Sequence, residues 1–171
     1  MRLLSSLQRH EIEWLQRWQS HSHSLSIAVA KLMSKSADGY PYIVATLFVA
    51  WQQASPVWIL VVATAFILER YLYFICKNNF RRHRPPVVIQ DYRSFIIPSD
   101  QFSLPSGHTS GAFLFATLLC PWYPALGFLL YLWATSVGIS RVILGVHFPT
   151  DTALGACLGT SIALLINGVW L

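Results

Sequence analysis

The segment FSLPSGHTSG, residues 102–111, places Pro105, Ser106, Gly107 and His108 directly ahead of a long apolar run. Proline is favoured in the first turn of a helix, where its missing N–H costs no hydrogen bond. The segment therefore predicts the start of a helix. The first amides of a helix lack intrahelical partners, and the glycine lets a ligand approach the backbone, so the motif favours a bound anion.

The composition is that of a membrane protein rather than of a soluble domain. Hydrophobic residues make up 54% of the 171 residues and charged residues only 11%, whereas about 25% charged residues is usual for a soluble domain. Strands are not expected, because period-two alternation is absent and open sheet edges are not tolerated in lipid. We expect one all-α, membrane-embedded domain that comprises residues 1–171.

Apolar runs bounded by proline, glycine or polar residues predict a multi-pass bundle of about six transmembrane helices. A spanning helix needs roughly 20 residues, and some of these runs are short. The predicted helices are residues 24–36, 40–54, 57–76, 106–120, 125–139 and 151–171.

The N-terminal segment, residues 1–20, has a different pattern. Its large apolar residues recur at spacings of three and four, as in an amphipathic helix that lies on a membrane surface. These residues are Leu3, Leu4, Leu7, Trp14, Leu15 and Trp18.

The formal net charge is +5, and the basic residues concentrate in residues 77–93, next to apolar segments. This position favours phosphate-bearing lipid over nucleic acid as the partner. The longest polar segment, residues 77–104, is typical of a functional loop, and we predict that it is an active-site loop. Cys76, Cys120 and Cys157 have neither metal-binding nor disulfide spacing.

Three polar clusters interrupt the apolar background: KNNFRRHRP at 77–85, PSGH at 105–108 and SRVILGVHFPTD at 140–151. A six-helix topology brings segments 37–39, 77–105 and 140–150 to one membrane face. The clusters are therefore expected to converge. Their cations Lys77, Arg84 and Arg141 suit phosphate oxygens, which arginine binds in a bidentate manner.

His147 and Asp151 indicate catalysis rather than binding alone. A carboxylate near one ring nitrogen fixes the tautomer of a histidine and frees the other nitrogen as a nucleophile. His108, on a different helix end, is placed to protonate a leaving oxygen as a general acid. Two histidines, an aspartate and three cations fit a phosphoryl-transfer site without a metal.

The three clusters resemble the motifs of the type 2 phosphatidic acid phosphatase superfamily: Lys-(six)-Arg-Pro, Pro-Ser-Gly-His and Ser-Arg-(five)-His-(three)-Asp. The resemblance implies that His147 forms a phosphohistidine, that Asp151 orients it and that His108 protonates the leaving group. It also implies that neither a metal nor another cofactor is needed. The phosphate ligands that it implies are Lys77, Arg84, Ser106, Gly107 and Arg141.

The apolar helices resemble the membrane-embedded lipid phosphatases of this family, a branch with short bacterial members. We expect a metal-independent hydrolase of phosphoric monoesters or diphosphates that acts on a lipid phosphate, with an undecaprenyl diphosphate-like isoprenoid as first choice. Phosphatidylglycerophosphate or phosphatidate hydrolysis, a lipid phosphotransferase and a catalytically silent lipid-binding protein stay open as alternatives. The expected partners are the lipid phosphate and membrane lipid, without nucleic acid, and the sequence does not indicate protein partners.

The expected location is a bacterial inner membrane, but two arguments predict opposite orientations of the active site. The distribution of lysine and arginine favours a cytoplasmic site under the positive-inside rule. The resemblance implies a site that faces the periplasm or the exterior. We prefer the second, because basic residues near a phosphate site serve binding as well as topology.

Two further sets of residues each have two possible roles. Glu69 is an ionisable residue inside an apolar run and shares one helix face with Tyr73 and Lys77, so that Glu69 and Tyr73 either line the base of the phosphate pocket or support a neighbouring helix. The basic run 81–83 is either solvated and headgroup-facing or part of the substrate-phosphate site.

Overall fold

A computed structural model describes residues 2–170, and the side chains from Gln8 to Trp170. These residues are all-helical, as expected, and their only extended pairing is an isolated bridge between His83 and Phe102. The helices are α1 (Arg2–Ser20), α2 (Ser24–Lys35), α3 (Gly39–Gln52), α4 (Val57–Phe80), α5 (Pro85–Val88), α6 (Gly107–Leu119), α7 (Gly127–Ile143) and α8 (Pro149–Trp170), with a 3-10 turn at Pro124–Leu126 before α7.

The six predicted membrane helices correspond to α2, α3, α4, α6, α7 and α8. Among the residues that the structure describes, three segments are long and apolar enough to cross a membrane: α4, the segment Pro124–Ile143 and α8. The other three have 12, 14 and 13 residues. At 1.5 Å per residue they extend roughly 20 Å, less than the roughly 30 Å of hydrocarbon in a bilayer. The count of six spans stays a prediction.

Helix α6 lies at the centre of the bundle, where most of its residues are buried. Two glycines let α8 pack directly against its backbone. A Cβ atom at Gly155 would lie 2.6 Å from the carbonyl oxygen of Ser106, and one at Gly159 would lie 2.1 Å from that of Ser110. Small residues permit such close approach of membrane helices. The contact places the start of α6, with the PSGH motif, beside the first turn of α8.

Helix α1 occupies the predicted N-terminal range, but part of it packs against the protein. Leu15 is fully buried in a cluster with Ile89, Tyr92, Val142 and Phe148. Glu11 is also buried, whereas Trp14 is about half exposed. The side chains of Leu3, Leu4 and Leu7 lie outside the described part of the chain. The amphipathic surface helix therefore stays a prediction.

The outer faces of several helices are apolar and exposed. Large apolar surfaces of this kind are unusual on soluble monomers and fit a lipid-facing bundle. They include Ile43, Val44, Leu47, Phe48, Ile67, Phe74, Phe128, Leu132, Leu164 and Leu165.

The predicted loop 77–104 begins later than expected. Helix α4 continues past the apolar run to Phe80, so Lys77 lies on the helix rather than in the loop. The helix ends at Arg81, whose φ of 47° is left-handed. The segment that follows contains the short helix α5 and leads into α6.

Candidate active site

A cavity of about 270 Å³ lies where α3, α4, α6 and α7 meet the loops before α6 and α8. Most of the residues predicted for the site line it, whereas Lys77, Ser106, Asp151 and Glu69 are not part of its lining. The polar part of the lining comprises Asp38, Tyr42, Arg70, Tyr73, Arg84, Ser99, Asp100, His108, Arg141 and His147, and the backbone of Gly107 completes that side.

His147 and Asp151 are both buried and face each other across the start of α8. Nδ1 of His147 lies 3.7 Å from Oδ2 of Asp151, which is longer than a hydrogen bond. The same carboxylate oxygen accepts a hydrogen bond from the backbone N–H of Phe148 at 2.8 Å. Nε2 of His147 lies 3.4 Å from a guanidinium nitrogen of Arg84. The carboxylate is therefore on the Nδ1 side of the ring, and the Nε2 side meets the cations.

Burial, with a smaller contribution from the charge of Arg84, lowers the pKa of His147 to about 4, although the carboxylate of Asp151 opposes this shift. A buried imidazole loses the hydration that its charged form needs, which explains the direction. The ring is thus neutral at physiological pH, the state that a nitrogen nucleophile requires.

His108 has an acidic partner that the sequence analysis missed. Its Nε2 shares a hydrogen bond of 3.0 Å with Oδ1 of Asp38, which immediately precedes α3. The sequence analysis named Asp38 only as part of segment 37–39. This segment was expected on the membrane face where the three clusters converge, and that position could have indicated that Asp38 lies near the site. Two histidine–aspartate pairs therefore lie at the cavity: both histidines and Asp38 line it, and Asp151 is buried beside His147.

A second residue that the sequence analysis missed is Asp100. It binds Lys77 and Arg84, two of the cations that were predicted to bind the substrate phosphate. Its carboxylate pairs with Lys77, whose Nζ also donates to the carbonyl of Phe102 at 2.8 Å. The same group accepts from Arg84 at 2.6 Å and from the Tyr73 hydroxyl at 2.8 Å. Burial alone would raise the pKa of Asp100, but these donors outweigh burial and lower it to about 2. In this structure, a carboxylate of the protein therefore binds two cations that were predicted to bind the substrate phosphate.

Arg141 is buried on the wall of the cavity and has one positioning contact, from its NH1 to the hydroxyl of Ser34 at 2.6 Å on α2. Among the described side chains it forms no ion pair, and its Nε has no hydrogen-bond partner. A buried guanidinium with free donors is suited to an anionic ligand.

Ser106 and Gly107 of the PSGH motif make different contacts. The backbone N–H of Ser106 donates to the carbonyl of Asp151 at 3.0 Å, and its hydroxyl accepts from Thr109. Ser106 thus ties α6 to α8, and its role as a phosphate ligand stays a prediction. Gly107, the first residue of α6, lines the cavity. A Cβ atom there would lie 2.9 Å from the ring of Tyr73, so the close helix contact requires glycine.

Glu69 is fully buried and forms a bidentate ion pair with Arg70, one bond of which measures 2.6 Å. The carboxylate binds the next residue of its own helix and is not part of the cavity lining. Arg70 and Tyr73 line the cavity instead, with the guanidinium 4.3 Å above the ring of Tyr73. No group of three or more histidine, cysteine, aspartate or glutamate side chains suited to a metal occurs among the described residues.

The geometry supports phosphoryl transfer. A neutral histidine faces arginines on one side of a polar cavity, and a second histidine with its own carboxylate lies at the same cavity. Arginines stabilise charge on phosphoryl oxygens, and a positioned histidine transfers the proton of the leaving group.

The chain is similar to known membrane proteins. It is 32% identical to the bacitracin transport permease protein BcrC of Bacillus licheniformis over 102 residues, which are 60% of this chain and 50% of the relative. It is 30% identical to a decaprenylphosphoryl-5-phosphoribose phosphatase of Mycobacterium tuberculosis over 116 residues, 66% of this chain and 60% of the relative. The chain thus spans about half the length of the curated relatives it matches.

The fold matches a crystal structure of a transmembrane PAP2-type phosphatidylglycerolphosphate phosphatase from Bacillus subtilis. The TM-score is 0.80 at 23% identity, with 96% of this chain and 86% of the other covered. A family model, the PAP2 superfamily, matches residues 56–170, more than half of the chain and all three motif clusters. These matches confirm the resemblance to the type 2 phosphatidic acid phosphatases, and the chain belongs to the PAP2 superfamily.

Proposed function

We propose that the protein is an integral membrane lipid phosphatase that hydrolyses an isoprenoid diphosphate through a phosphohistidine on His147. The observation that carries this proposal is the buried, neutral His147 between Asp151 and Arg84, at a cavity that also contains the His108–Asp38 pair.

The reaction follows from the positions of these groups. Nε2 of His147 attacks the phosphorus, the bond to the leaving oxygen breaks, and His108 donates a proton to that oxygen. Water then attacks the phosphohistidine, His108 takes up a proton, and phosphate is released from the ring. Arg84 and Arg141 stabilise the charge on the phosphoryl oxygens, and no metal is needed for this. Because Arg84 and Lys77 are bound to Asp100, the phosphate competes with that carboxylate.

An apolar groove between α3 and α4 supports a lipid substrate. It has a volume of about 380 Å³, and Gly39, Tyr42 and Phe66 line both the groove and the catalytic cavity. An acyl or isoprenoid chain bound there reaches the bilayer while its phosphate stays at His147. A water-soluble phosphate ester would leave the groove empty and lose this apolar contact.

The choice of an isoprenoid lipid is supported by a relative whose name specifies a decaprenyl lipid. Phosphatidylglycerophosphate or phosphatidate is the second candidate, since the same cavity and groove would accommodate a glycerolipid. We also propose an active site that faces the periplasm or the exterior of a bacterial inner membrane. A cysteine at position 93 in intact cells tests this, since a membrane-impermeant thiol reagent labels it only on the outer face.

Phosphate release by the purified protein in EDTA tests the function. The substrates are a polyprenyl diphosphate, phosphatidylglycerophosphate, phosphatidate and a soluble ester, each measured for the wild type, His147→Ala and the control His10→Ala on the exposed surface of α1. We expect release that persists in EDTA, is fastest with the polyprenyl diphosphate and disappears only in His147→Ala. Absence of release from every lipid would contradict a phosphatase, and phosphate appearing on an added acceptor lipid would indicate a phosphotransferase.

A further inference from the structure

The carboxylate of Asp151 is held from both sides. Its Oδ1 accepts a hydrogen bond from NH1 of Arg82 at 2.6 Å. Its Oδ2 accepts from the backbone N–H of Phe148 at 2.8 Å and faces Nδ1 of His147. With Oδ1 bound to the arginine, only Oδ2 remains available to the histidine. The orientation of the catalytic pair therefore depends on Arg82.

Arg82 belongs to the basic run for which the sequence left two interpretations, and its contacts fit neither. Its NH1 also donates to the Thr150 hydroxyl at 2.6 Å, and its NH2 donates to Oε2 of Glu11 at 2.7 Å. The guanidinium stacks 4.2 Å above the ring of Phe148. Its donors thus reach protein groups around the start of α8, and the side chain does not line the catalytic cavity.

Glu11 completes the arrangement from the N-terminal helix. Its Oε1 accepts hydrogen bonds of 2.8 Å from both the backbone N–H and the hydroxyl of Thr150. A carboxylate is stabilised at this place, because the first amides of α8 lack intrahelical partners and the helix dipole is positive there. Glu11 is buried, although it lies on an otherwise largely exposed helix. One carboxylate thus binds both Arg82 and the residue before Asp151.

We propose that Arg82 and Glu11 are positioning residues for the phosphohistidine reaction. Arg82 fixes Asp151 so that Oδ2 faces Nδ1 and leaves Nε2 of His147 free to attack, and Glu11 fixes Arg82. This inference rests on the proposed function of His147. It makes α1 part of the catalytic apparatus, although α1 lies outside the family match at residues 56–170.

Steady-state kinetics separate positioning from phosphate binding. In Arg82→Gln we expect kcat to fall roughly 10- to 100-fold, the usual cost of misplacing a catalytic group, while KM stays within about twofold. Arg82→Lys and Glu11→Gln, which keep part of the contacts and are more certain to fold, should lose less. The control is Arg81→Gln, because Arg81 is the exposed neighbour and its Nε donates to the carbonyl of Asn78 rather than to a group at Asp151. It should match the wild type.

The tautomer of His147 gives a readout that a purely structural role would not change. In ¹⁵N-histidine spectra of the full-length protein, with His147→Ala for assignment, we expect the wild type to carry its proton on Nδ1. Arg82→Gln and Glu11→Gln should shift this tautomer population. Because both residues act through one carboxylate, the double variant should lose no more kcat than Arg82→Gln alone.

Two results would overturn the proposal: a wild-type kcat and tautomer in Arg82→Gln, or a loss confined to KM, which would assign Arg82 to the substrate phosphate. A wild type whose phosphate release does not depend on His147 would instead contradict the proposed function. The spectra would still show whether Arg82 controls the ring.

Discussion

Nε2 of His108 lies 3.0 Å from Oδ1 of Asp38, so the second histidine of the cavity has a carboxylate partner from a distant part of the chain. The pair joins the start of α6 to the start of α3. In the proposed reaction His108 is an oriented general acid, and the effect of such an acid depends on how much the leaving oxygen needs a proton.

Asp38→Asn should therefore act selectively on substrates with poor leaving groups. We expect kcat for a lipid phosphate to fall roughly 10- to 100-fold, and kcat for p-nitrophenyl phosphate to change little, because nitrophenolate leaves without protonation. Asp91→Asn, in an exposed loop, is the control. An equal loss with both substrates would show that Asp38 does not act through proton transfer.

The buried His147 should make the protein less stable in acid. Its pKa of about 4 in the folded state lies below the ordinary value of 6.5. The unfolded chain therefore takes up the proton first, and the stabilisation is complete above about pH 6.5 and lost as the pH falls toward 4. We expect the difference in Tm between wild type and His147→Ala to narrow over this range. A constant difference would contradict the lowered pKa.

The lowered pKa of His147 also predicts the pH at which activity is lost on the acid side of the pH–rate profile. Because the neutral ring is the proposed nucleophile, kcat/KM should persist below pH 6.5 and decline only toward pH 4. The ionisation of the substrate phosphate near pH 6 also contributes, so the profile is measured with two lipid phosphates. A limb near pH 4 belongs to the enzyme, whereas a limb near pH 6.5 that is not accounted for by the separately titrated ionisation of the two substrates would indicate an ordinary, solvated histidine.

Sequence analysis finds functional residues when their spacing along the chain determines how they lie in the structure. His147 and Asp151 are four residues apart at the start of a helix. The convergence of the three motifs was predicted because the helix ends that carry them were expected on one membrane face. Asp38 and His108 are 70 residues apart, and Arg82 and Asp151 are 69 residues apart. Such pairs depend on helix packing and side-chain rotamers, which spacing does not encode. The hydropathy pattern located the helices but not the ends of α4 and α7. Helix α4 continues through three polar residues beyond the apolar run to Phe80, and α7 continues from the predicted end at residue 139 to Ile143.

Asp100 should compete with phosphate for Lys77 and Arg84. Its pKa of about 2 keeps it charged at every working pH, so it is a permanent anion among these cations. In Asp100→Asn we expect inorganic phosphate to inhibit more strongly, with Ki lowered roughly 3- to 10-fold, as the loss of a competing ion pair of about 1 kcal/mol implies. Ki should not change in the exposed control Asp91→Asn. A higher Ki would show that Asp100 organises the cations for phosphate instead.

Gly159→Ala should separate α6 from α8 and disturb the site from a distance. The new Cβ atom would lie 2.1 Å from the carbonyl oxygen of Ser110, a backbone atom that a side-chain rotation does not relieve. Overpacking of this kind costs about 1–3 kcal/mol or more, so we expect a lower Tm and reduced phosphate release. Gly168→Ala on the same helix has no neighbour within 4 Å and should keep or raise the Tm, since alanine favours a helix. An unchanged Tm in Gly159→Ala would mean that the two helices do not pack backbone to backbone.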